Sequence, residues 1–312
     1  MMNRRIKSAS DFGKVAVLMG GRSAERDISL NSGEAVLDAL IAQGIDAHKV
    51  DVGLNVTEQL RAGHYDRAFV ILHGRGGEDG EIQGALQSLA MPYTGSDMTG
   101  AVLSMNKQLS KQLWQQQGLP TAEFKQVTAD SDVDEVAEAI GLPLIIKPVN
   151  EGSSIGMTKV NSVSALAKAI EQATKFDAEV IAERWIEGEE YTVSILGQTA
   201  LPVIQLKTPH EFYDFEAKYQ ADTTEYLCPC GLSEHDESQC QQLALQAFNG
   251  LRMRGWGRID FMRDNAGKFY LLEANSVPGM TDHSLVPMAA KAAGDNFEEL
   301  VWKILETSME TK

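Results

Sequence analysis

A segment rich in oxygen ligands spans Gly255 to Thr281, with the sequence GWGRIDFMRDNAGKFYLLEANSVPGMT. Its alternating apolar residues predict two β-strands, and the polar residues Asp264 to Gly267 predict the turn of a hairpin between them. Pairing of the strands would bring Asp260 on the first strand to the same end as Glu273 and Asn275 on the second. Two carboxylates and an amide oxygen are hard ligands that suit Mg²⁺ beside a polyphosphate.

A cation stands next to this acidic set. Arg258 precedes Asp260 by two residues, so both side chains point to the same face of the strand. An arginine beside a carboxylate–metal cluster suits the stabilisation of negative charge that develops during a reaction. The segment alone leaves a second interpretation open, in which it is an ordinary exposed hairpin with acidic ends.

Composition limits the class of protein. The chain has 312 residues, of which 43% are apolar and 23% charged, which is typical of a globular protein with more than one domain. Its net charge of −16 gives no broad attraction for nucleic acid or an anionic membrane, so we expect neither as a partner. No apolar run is long enough to span a membrane or to serve as a signal peptide. The odd number of cysteines favours free thiols in a reducing compartment, and we expect a cytoplasmic protein.

The first third of the chain alternates short apolar runs with helical patterns. The runs KVAVLMG (Lys14 to Gly20), IDAHKVDV and RAFVILHG predict strands, and a helix is predicted from about Ser29 to Gln43. This β-α-β order predicts a parallel sheet with helices on its faces. Ligands of such sheets bind at the loops that follow the strands.

Two of those loops carry candidate residues. GGRSAERD, after the first strand, lacks the spacing of a dinucleotide fingerprint but places Glu25 just before a helix. Glu25 could bind a ligand ammonium, or it could favour the helix N-terminus. In HGRGGEDG, Glu78 and Asp79 can cap the next helix. His73 ends a buried strand, where a lone histidine is more often structural than catalytic.

A Gly/Ser loop follows the strand LPLIIKP, downstream of an amphipathic helix in NKQLSKQLWQQQG. Lys147 lies near the end of that strand, and the loop NEGSSIGM leads into a further strand from Met157 to Val160. A small loop between antiparallel strands can lie over phosphates with its backbone N–H groups facing them, although the Walker A spacing is absent. The loop could also be a plain hairpin connection, and Lys147 beside it favours the phosphate interpretation.

The run AEVIAERWIEGEEYTVSIL predicts two strands with a break at Glu187 and Gly188. Glu183 and Trp185 lie before the break and Glu190 lies after it. An apolar slot followed by a carboxylate suits an adenine and its ribose hydroxyls, although an acidic surface turn is the stronger local interpretation. The long aromatic loop from Thr208 to Tyr226 is typical of an ordered lid.

Six motifs, taken in order, resemble the ATP-grasp ligases, and among them the enzymes that join two D-alanines. They are GGRSAERDISL, HGRGGEDG, IIKPVNEGSSIGM, FYDFEAKY, GWGRIDFM and LLEANSVPGMTDHSLVP, and they cover the chain from Lys14 to about Leu305. One departure is NSVPGMT, where the family usually has NTSPGMT. The resemblance implies an α/β, three-domain ATP-grasp architecture: an N-terminal, Rossmann-like parallel-sheet domain for substrate (residues 1–106), a central ATP-grasp lid domain (107–187) and a C-terminal catalytic domain (188–312).

The resemblance also implies a role for each candidate residue. Asp260, Glu273 and Asn275 would hold two Mg²⁺ ions, with Mn²⁺ as an alternative metal. The implied ATP contacts are Lys107, Lys147, Ser154, Glu183, Arg184, Trp185, Ile186, Glu190 and Lys218. The implied catalytic set comprises Glu25, Ser153 and Tyr219, hydrogen-bonded around the ammonium of the first D-alanine, and Arg258 with the N–H of Gly279 as an oxyanion hole. The implied substrate contacts are His73, Ser284 and Leu285, the last two for the carboxylate of the second D-alanine at a helix N-terminus.

The implied activity is the ATP-dependent ligation of two D-alanines through an acyl phosphate, for peptidoglycan precursor synthesis, by a homodimer. Two alternatives stay open: another ATP-grasp ligase, such as one that makes a D-alanyl–D-lactate ester, and a nucleotide-binding protein without chemistry. Tyr219 argues against the ester, since ester-forming relatives tend to replace the EAKY lid sequence. The acidic set and Arg258 argue against pure binding, which needs no oxyanion hole.

Overall fold

The first sheet is parallel and three-stranded. The computed structural model describes residues 4–208, 224–281 and 283–310. The strand order is β2–β1–β3, with β1 (Lys14–Gly20), β2 (Asp46–Val52) and β3 (Arg67–Val70). β1 is central and six of its seven residues are buried, as its unbroken apolar sequence requires of a strand covered on both faces. The parallel sheet predicted from the sequence is confirmed, and β3 ends earlier than the run RAFVILHG predicts.

Four helices accompany this sheet in the described N-terminal part of the chain. They are α1 (Arg26–Ala42), α2 (Val56–Gly63), α3 (Glu81–Ser88) and α4 (Met98–Met105). Of the two acids expected to cap α3, only Asp79 does so, since its carboxylate accepts the N–H of Glu81 at 3.1 Å. The prediction was wrong for Glu78, whose carboxylate accepts the N–H of Gly74 at 2.9 Å.

The second sheet is antiparallel, with the order β4–β7–β5–β6. Its strands are β4 (Phe124–Val127), β5 (Leu144–Pro148), β6 (Thr158–Val160) and β7 (Val180–Arg184). α5 (Lys107–Gln116) precedes it, and α6 (Val133–Ile140) and α7 (Val163–Ala173) pack on one face. The Gly/Ser loop joins β5 to β6, so it is the connection between antiparallel strands that the sequence predicted.

The third sheet carries the predicted hairpin. It has the order β11–β10–β8–β12–β13, with β9 on β8, and α8 (Glu234–Gly250) against it. Its strands are β8 (Gly188–Leu196), β9 (Thr199–Ala200), β10 (Ile204–Lys207), β11 (Glu225–Leu227), β12 (Trp256–Asp264) and β13 (Phe269–Asn275). Arg258 faces Asn275 and Asp260 faces Glu273 across β12 and β13, so the predicted convergence of these four residues is confirmed.

Two helices after the hairpin return to the first sheet. They are α9 (Leu285–Ala292) and α10 (Phe297–Glu306), and their apolar residues share one core with β1 and β3. The rings of Trp302 and Phe12 pack edge to face, with their centroids 5.1 Å apart. No helix among the described residues is long and apolar enough to cross a membrane. The three sheets follow one another along the chain, and the domain boundaries at 106 and 187 stay a prediction.

Candidate active site

Two cavities lie on either side of the β5–β6 loop. The large cavity, about 460 Å³, lies between the second and third sheets, and the small cavity, about 250 Å³, lies between the first sheet and the hairpin. Ser154 lines the large cavity while its neighbour Ser153 lines the small one. On the hairpin, Glu273 lines the large cavity and Asn275 the small one. The two cavities therefore share a wall made of this loop and the end of β13.

The large cavity gathers eight of the nine residues expected to contact ATP. They are Lys107, Lys147, Ser154, Glu183, Arg184, Trp185, Ile186 and Glu190. Lys218 and Tyr219 lie outside the described residues. Ile145, Ile186 and Leu272 line the cavity and give it an apolar floor, and Ile186 packs in turn against Ala122 and Tyr270. Such a slot with lysines at one end suits a planar base and its phosphates.

A buried charge cluster forms one wall of the large cavity. The carboxylate of Glu183 lies between the ammonium groups of Lys111 and Lys147, 3.0 Å from each. Burial alone would raise the pKa of Glu183, but the two lysines outweigh it and hold the pKa below its usual value. Burial lowers the pKa of Lys111 to about 8 against the opposing pull of Glu183. The cluster of two lysines and one carboxylate has a formal net charge of +1. Lys111 was missed by the sequence analysis.

Lys107 links the loop to the hairpin. Its Nζ donates to the carbonyl of Glu151 at 2.6 Å and lies 3.5 Å from a carboxylate oxygen of Glu273. Lys107 is the first residue of α5, whose N-terminus is capped by Asn106. The lysine thereby offsets the charge of Glu273 at the cavity edge, where a phosphate chain would pass.

Asp260 is held by three protein groups. Arg258 donates Nε and Nη2 to its two oxygens at 2.8 Å each, and Thr192 Oγ1 and Asn275 Nδ2 donate to it at 2.6 and 2.9 Å. This fork-to-fork pairing fixes the guanidinium plane at the wall of the small cavity. Arg258 and Asp260 are two residues apart on one strand face, as predicted.

The hairpin offers a metal a limited but suitable set of donors. Among the described residues no three His, Cys, Asp or Glu side chains gather as a metal site. The predicted set contains two carboxylates and one amide, and Asp260 and Glu273 stand opposite each other in the ladder. Arg258 beside Asp260 and Lys107 beside Glu273 offset part of the repulsion between these like charges. Hard carboxylate oxygens at the edge of a cationic slot fit Mg²⁺ between protein and phosphate.

Glu25 reaches the β5–β6 loop from the first sheet. It lies at the N-cap position of α1, but its side chain makes no capping hydrogen bond. Instead, its carboxylate accepts a 2.5 Å hydrogen bond from Ser153 Oγ and is only 7% exposed. A Cβ added at Gly152 or Gly74 would come within 2.8 or 2.7 Å of Glu25 Oε2. The two glycines thus form a close cradle for this carboxylate, which points into the small cavity rather than along the helix.

His73 is a buried connector between the first sheet and the loop after the hairpin. Its Nδ1 lies 2.8 Å from the carbonyl of Val277, so Nδ1 carries the proton and Nε2 accepts from Ser32 Oγ at 3.2 Å. Ser32 Oγ accepts in turn from the N–H of Met280 at 3.2 Å. Burial lowers the pKa of His73, which keeps it neutral. The histidine thereby fixes the segment that carries Gly279.

Glu78, predicted from the sequence only as a helix cap, is a second residue whose place in the site was missed. It lines the small cavity and accepts from the N–H groups of Gly74 and Val277 at 2.9 and 3.3 Å. Burial, with the nearby charge of Glu25, raises the pKa of Glu78 to about 7. Its position after a run of glycines gave no signal, because the contact depends on a loop 199 residues away.

The far end of the small cavity is the beginning of α9. Ser284 and Leu285 line it together with Gly279. Ser284 is the N-cap residue but makes no capping hydrogen bond, and its Oγ instead accepts the N–H of Thr281 at 2.9 Å. The small cavity therefore brings together Glu25, His73, Ser153, Arg258, Gly279, Ser284 and Leu285, all of them predicted site residues.

Comparison with known proteins identifies the family. Two family models match the chain, one described as the D-ala D-ala ligase N-terminus over residues 47–96 and one as the D-ala D-ala ligase C-terminus over residues 113–306. A D-alanine–D-alanine ligase of Nitrosococcus oceani is 57% identical over 301 residues, which cover 96% of this chain and 95% of that protein. The chain belongs to the D-alanine–D-alanine ligase family.

Solved structures agree with this membership. A crystal structure of the D-alanine–D-alanine ligase from Bacillus anthracis superposes with a TM-score of 0.86 at 33% identity and covers 95% of this chain and 97% of that one. A second structure of the same enzyme, complexed with ATP, has a TM-score of 0.82 at 32% identity with the same coverage. The α/β ATP-grasp fold and the family predicted from the sequence motifs are thus confirmed for this ligase family member.

Proposed function

We propose that this protein is an ADP-forming ligase that uses ATP to join two D-alanines into D-alanyl-D-alanine, for the synthesis of peptidoglycan precursors. The observation that carries the proposal is the wall shared by the two cavities. Ser153 and Ser154 are adjacent but line different cavities, and so do Glu273 and Asn275, which are two residues apart. A phosphate in the large cavity and a carboxylate in the small one would therefore meet at that wall.

The large cavity provides the nucleotide side of the reaction. Its apolar floor and Trp185 accept the base, Glu190 accepts hydrogen bonds from the ribose, and Lys107 and Lys147 contact the phosphates. Asp260, Glu273 and Asn275 would hold Mg²⁺, which supplies charge compensation for the transferred phosphoryl group. The carboxylate of the first D-alanine attacks the γ-phosphate, and ADP leaves as the acyl phosphate forms.

The small cavity provides the amino-acid side. Glu25 pairs with the ammonium of the first D-alanine, while Ser153 keeps the carboxylate of Glu25 in place. The first turn of α9, with Ser284 and Leu285, binds the carboxylate of the second D-alanine. Its amine attacks the acyl phosphate, a tetrahedral oxyanion forms beside Arg258 and the N–H of Gly279, and phosphate leaves with formation of the peptide bond.

Several further properties belong to the proposal. The family resemblance assigns Lys218 to the ATP phosphates and Tyr219 to the hydrogen-bonded set with Ser153 and Glu25, and both lie outside the described residues. The protein acts as a cytoplasmic homodimer with two Mg²⁺ ions, which Mn²⁺ can replace. Its domains are residues 1–106, 107–187 and 188–312.

One assay separates this function from its alternatives. Purified protein is given ATP, Mg²⁺ and equal amounts of D-alanine and D-lactate, and the products are separated by mass. We expect D-alanyl-D-alanine to dominate at pH 7, and more so at higher pH, because the attacking free amine becomes more abundant. A majority of the D-alanyl–D-lactate ester would identify an ester-forming ligase instead. ATP binding without ADP release would identify a non-catalytic nucleotide-binding protein.

A further inference from the structure

Lys111 is the most deeply buried charge beside the large cavity. Its side chain is 0% exposed, and it does not line the cavity. The ammonium lies 2.8 Å from Thr121 Oγ1, 3.3 Å from the carbonyl of Leu271 and 3.0 Å from a carboxylate oxygen of Glu183. Two of its N–H groups donate to Thr121 and Leu271, and the contact with Glu183 is an ion pair. Because Lys111 is fully buried and does not line the cavity, a nucleotide there does not touch it.

Glu183 connects Lys111 to a group that does line the cavity. Its other oxygen accepts a 3.0 Å hydrogen bond from Lys147, which faces the cavity together with Glu183. The order Lys111–Glu183–Lys147 places one buried carboxylate between two ammonium groups. Because Lys111 and Lys147 share this one carboxylate, the three groups together present a formal positive charge beside the cavity.

We propose that Lys111 is a positioning residue for nucleotide binding, which acts through Glu183 to keep Lys147 available to the phosphates. Without Lys111, Lys147 would be the one cation left in contact with Glu183 in the described part of the chain, and this buried pair would have no net charge. The existing ion pair of Lys147 with Glu183 would then lack the second cation and would attract a polyphosphate less. This inference rests on the proposed nucleotide role of the large cavity and adds to it a residue that makes no contact with the nucleotide.

The anchors of Lys111 give it a second effect on the site. Leu271 lies in β13, two residues before Glu273, and Thr121 Oγ1 donates to the same Leu271 carbonyl at 2.8 Å. Lys111 in α5 therefore contacts both Glu183 near the end of β7 and Leu271 in β13, the strand that carries Glu273. The wall that holds Glu183 and the strand that carries Glu273 are fixed relative to each other by this ammonium.

The test compares ATP binding and ATP kinetics across a set of variants. Calorimetry measures the Kd of ATP with Mg²⁺ and without D-alanine, and steady-state kinetics give the KM values of ATP and D-alanine. We expect Lys111→Met to weaken ATP binding at least about tenfold, equivalent to one unit of log Kd. The KM of D-alanine should stay within about twofold, since the small cavity makes no contact with Lys111.

Lys303→Met is the matched control. Lys303 is also a buried lysine, 2.6 Å from Asp295, but it lies in α10 away from the large cavity. Both variants lose a buried ion pair, so the melting temperature should fall in both, whereas ATP affinity should fall only in Lys111→Met. An equal ATP Kd in Lys111→Met and wild type would overturn the proposal and leave Lys111 with a purely structural role.

A double variant tests whether the effect passes through Glu183. Lys111→Met should weaken ATP binding by a smaller factor in a Glu183→Gln background than in wild type, because Lys147 then no longer faces an unneutralised carboxylate. If Lys111→Met weakens ATP binding by the same factor in both backgrounds, Lys111 and Glu183 act independently and the proposal is contradicted.

If Lys111→Met does not fold, Thr121→Val provides the same test. It removes one anchor of Lys111 and keeps its charge, so it should raise the ATP Kd by less than the tenfold expected of Lys111→Met and leave the D-alanine KM within about twofold. No change in the ATP Kd would count against the proposal. Wild-type protein that binds ATP but forms no dipeptide would refute the proposed ligase function, while the comparison of ATP Kd values would still decide the role of Lys111.

Discussion

Replacement of Glu25 by glutamine separates a substrate role from a structural one. Glutamine has the same shape, so its amide oxygen can still accept the hydrogen bond from Ser153 and occupy the cradle of Gly74 and Gly152. What the variant loses is the negative charge that faces the small cavity. If that charge pairs with the ammonium of the first D-alanine, catalysis should suffer and stability should not.

The magnitude follows from the burial of the carboxylate. Breaking one side of a fully buried ion pair costs about 3–5 kcal/mol. Glu25 is 7% exposed and borders the small cavity, so some screening by water remains and a loss of about 2–3 kcal/mol is expected. At 1.36 kcal/mol per factor of ten, kcat/KM for D-alanine at the first site should fall roughly 30- to 150-fold.

The assay is dipeptide formation at varied D-alanine, together with a melting curve. The competing explanation holds that Glu25 only favours the N-terminus of α1, which is worth about 0.3–1 kcal/mol of stability. That explanation predicts a lower melting temperature with kcat and KM unchanged. An unchanged first-site KM and kcat in folded Glu25→Gln protein would therefore refute the substrate role.

Three further predictions follow from the same geometry. Glu273→Gln should cut ADP formation by orders of magnitude while the fold is retained, because one charged metal ligand is lost; near-normal ADP release by folded protein would contradict the metal site. Gly152→Ala places a Cβ 2.8 Å from Glu25 Oε2 and should raise the D-alanine KM but leave the ATP Kd unchanged, with Gly53→Ala, whose Cβ would meet nothing closer than 3.5 Å, as control. Burial raises the pKa of Glu78 from 4.5 to about 7 in the folded protein. Between these pH values the folded state binds a proton that the unfolded state has released, so the protein without nucleotide should lose stability as the pH rises from about 4.5 to about 7. The loss should be up to about 3 kcal/mol. Urea unfolding at pH 5 and pH 8 should show this loss in wild type and not in Glu78→Gln, and equal pH dependence in both would argue against it.

The elements that could be predicted from the sequence alone are those whose burial pattern is regular along the element. The strand Lys14–Gly20 is covered on both faces, so its apolar run has no interruption and its bounds matched the structure. The hairpin of β12 and β13 was predicted from its turn sequence and its alternation, whereas the β-bulge between Asp260 and Phe261, which brings Asp260 opposite Glu273, was not predicted. The apolar run and the turn with its alternation are local signals, which a single sequence contains in full.

Lys111 and Glu78 could not be assigned in this way because their partners are distant in sequence. Lys111 looks like one of several polar residues on an amphipathic helix. A faint signal exists, since Lys107, Ser110, Lys111 and Trp114 lie on one helix face and all four are buried. That pattern could indicate a buried lysine, but its partner Glu183 is 72 residues further on. Glu78 likewise depends on Val277.

The return of α9 and α10 to the first sheet has a consequence for the order of folding. Strand β1 is made early, yet it shares its core with Leu300 and Leu305, and the ring of Phe12 packs on Trp302. While the chain is being synthesised, the apolar surface of these N-terminal strands stays exposed until the residues of α10 have emerged from the ribosome. Contacts that close such long loops form slowly, and exposed strands in the interval invite aggregation. The part of the protein that is synthesised first is therefore among the last to be completed.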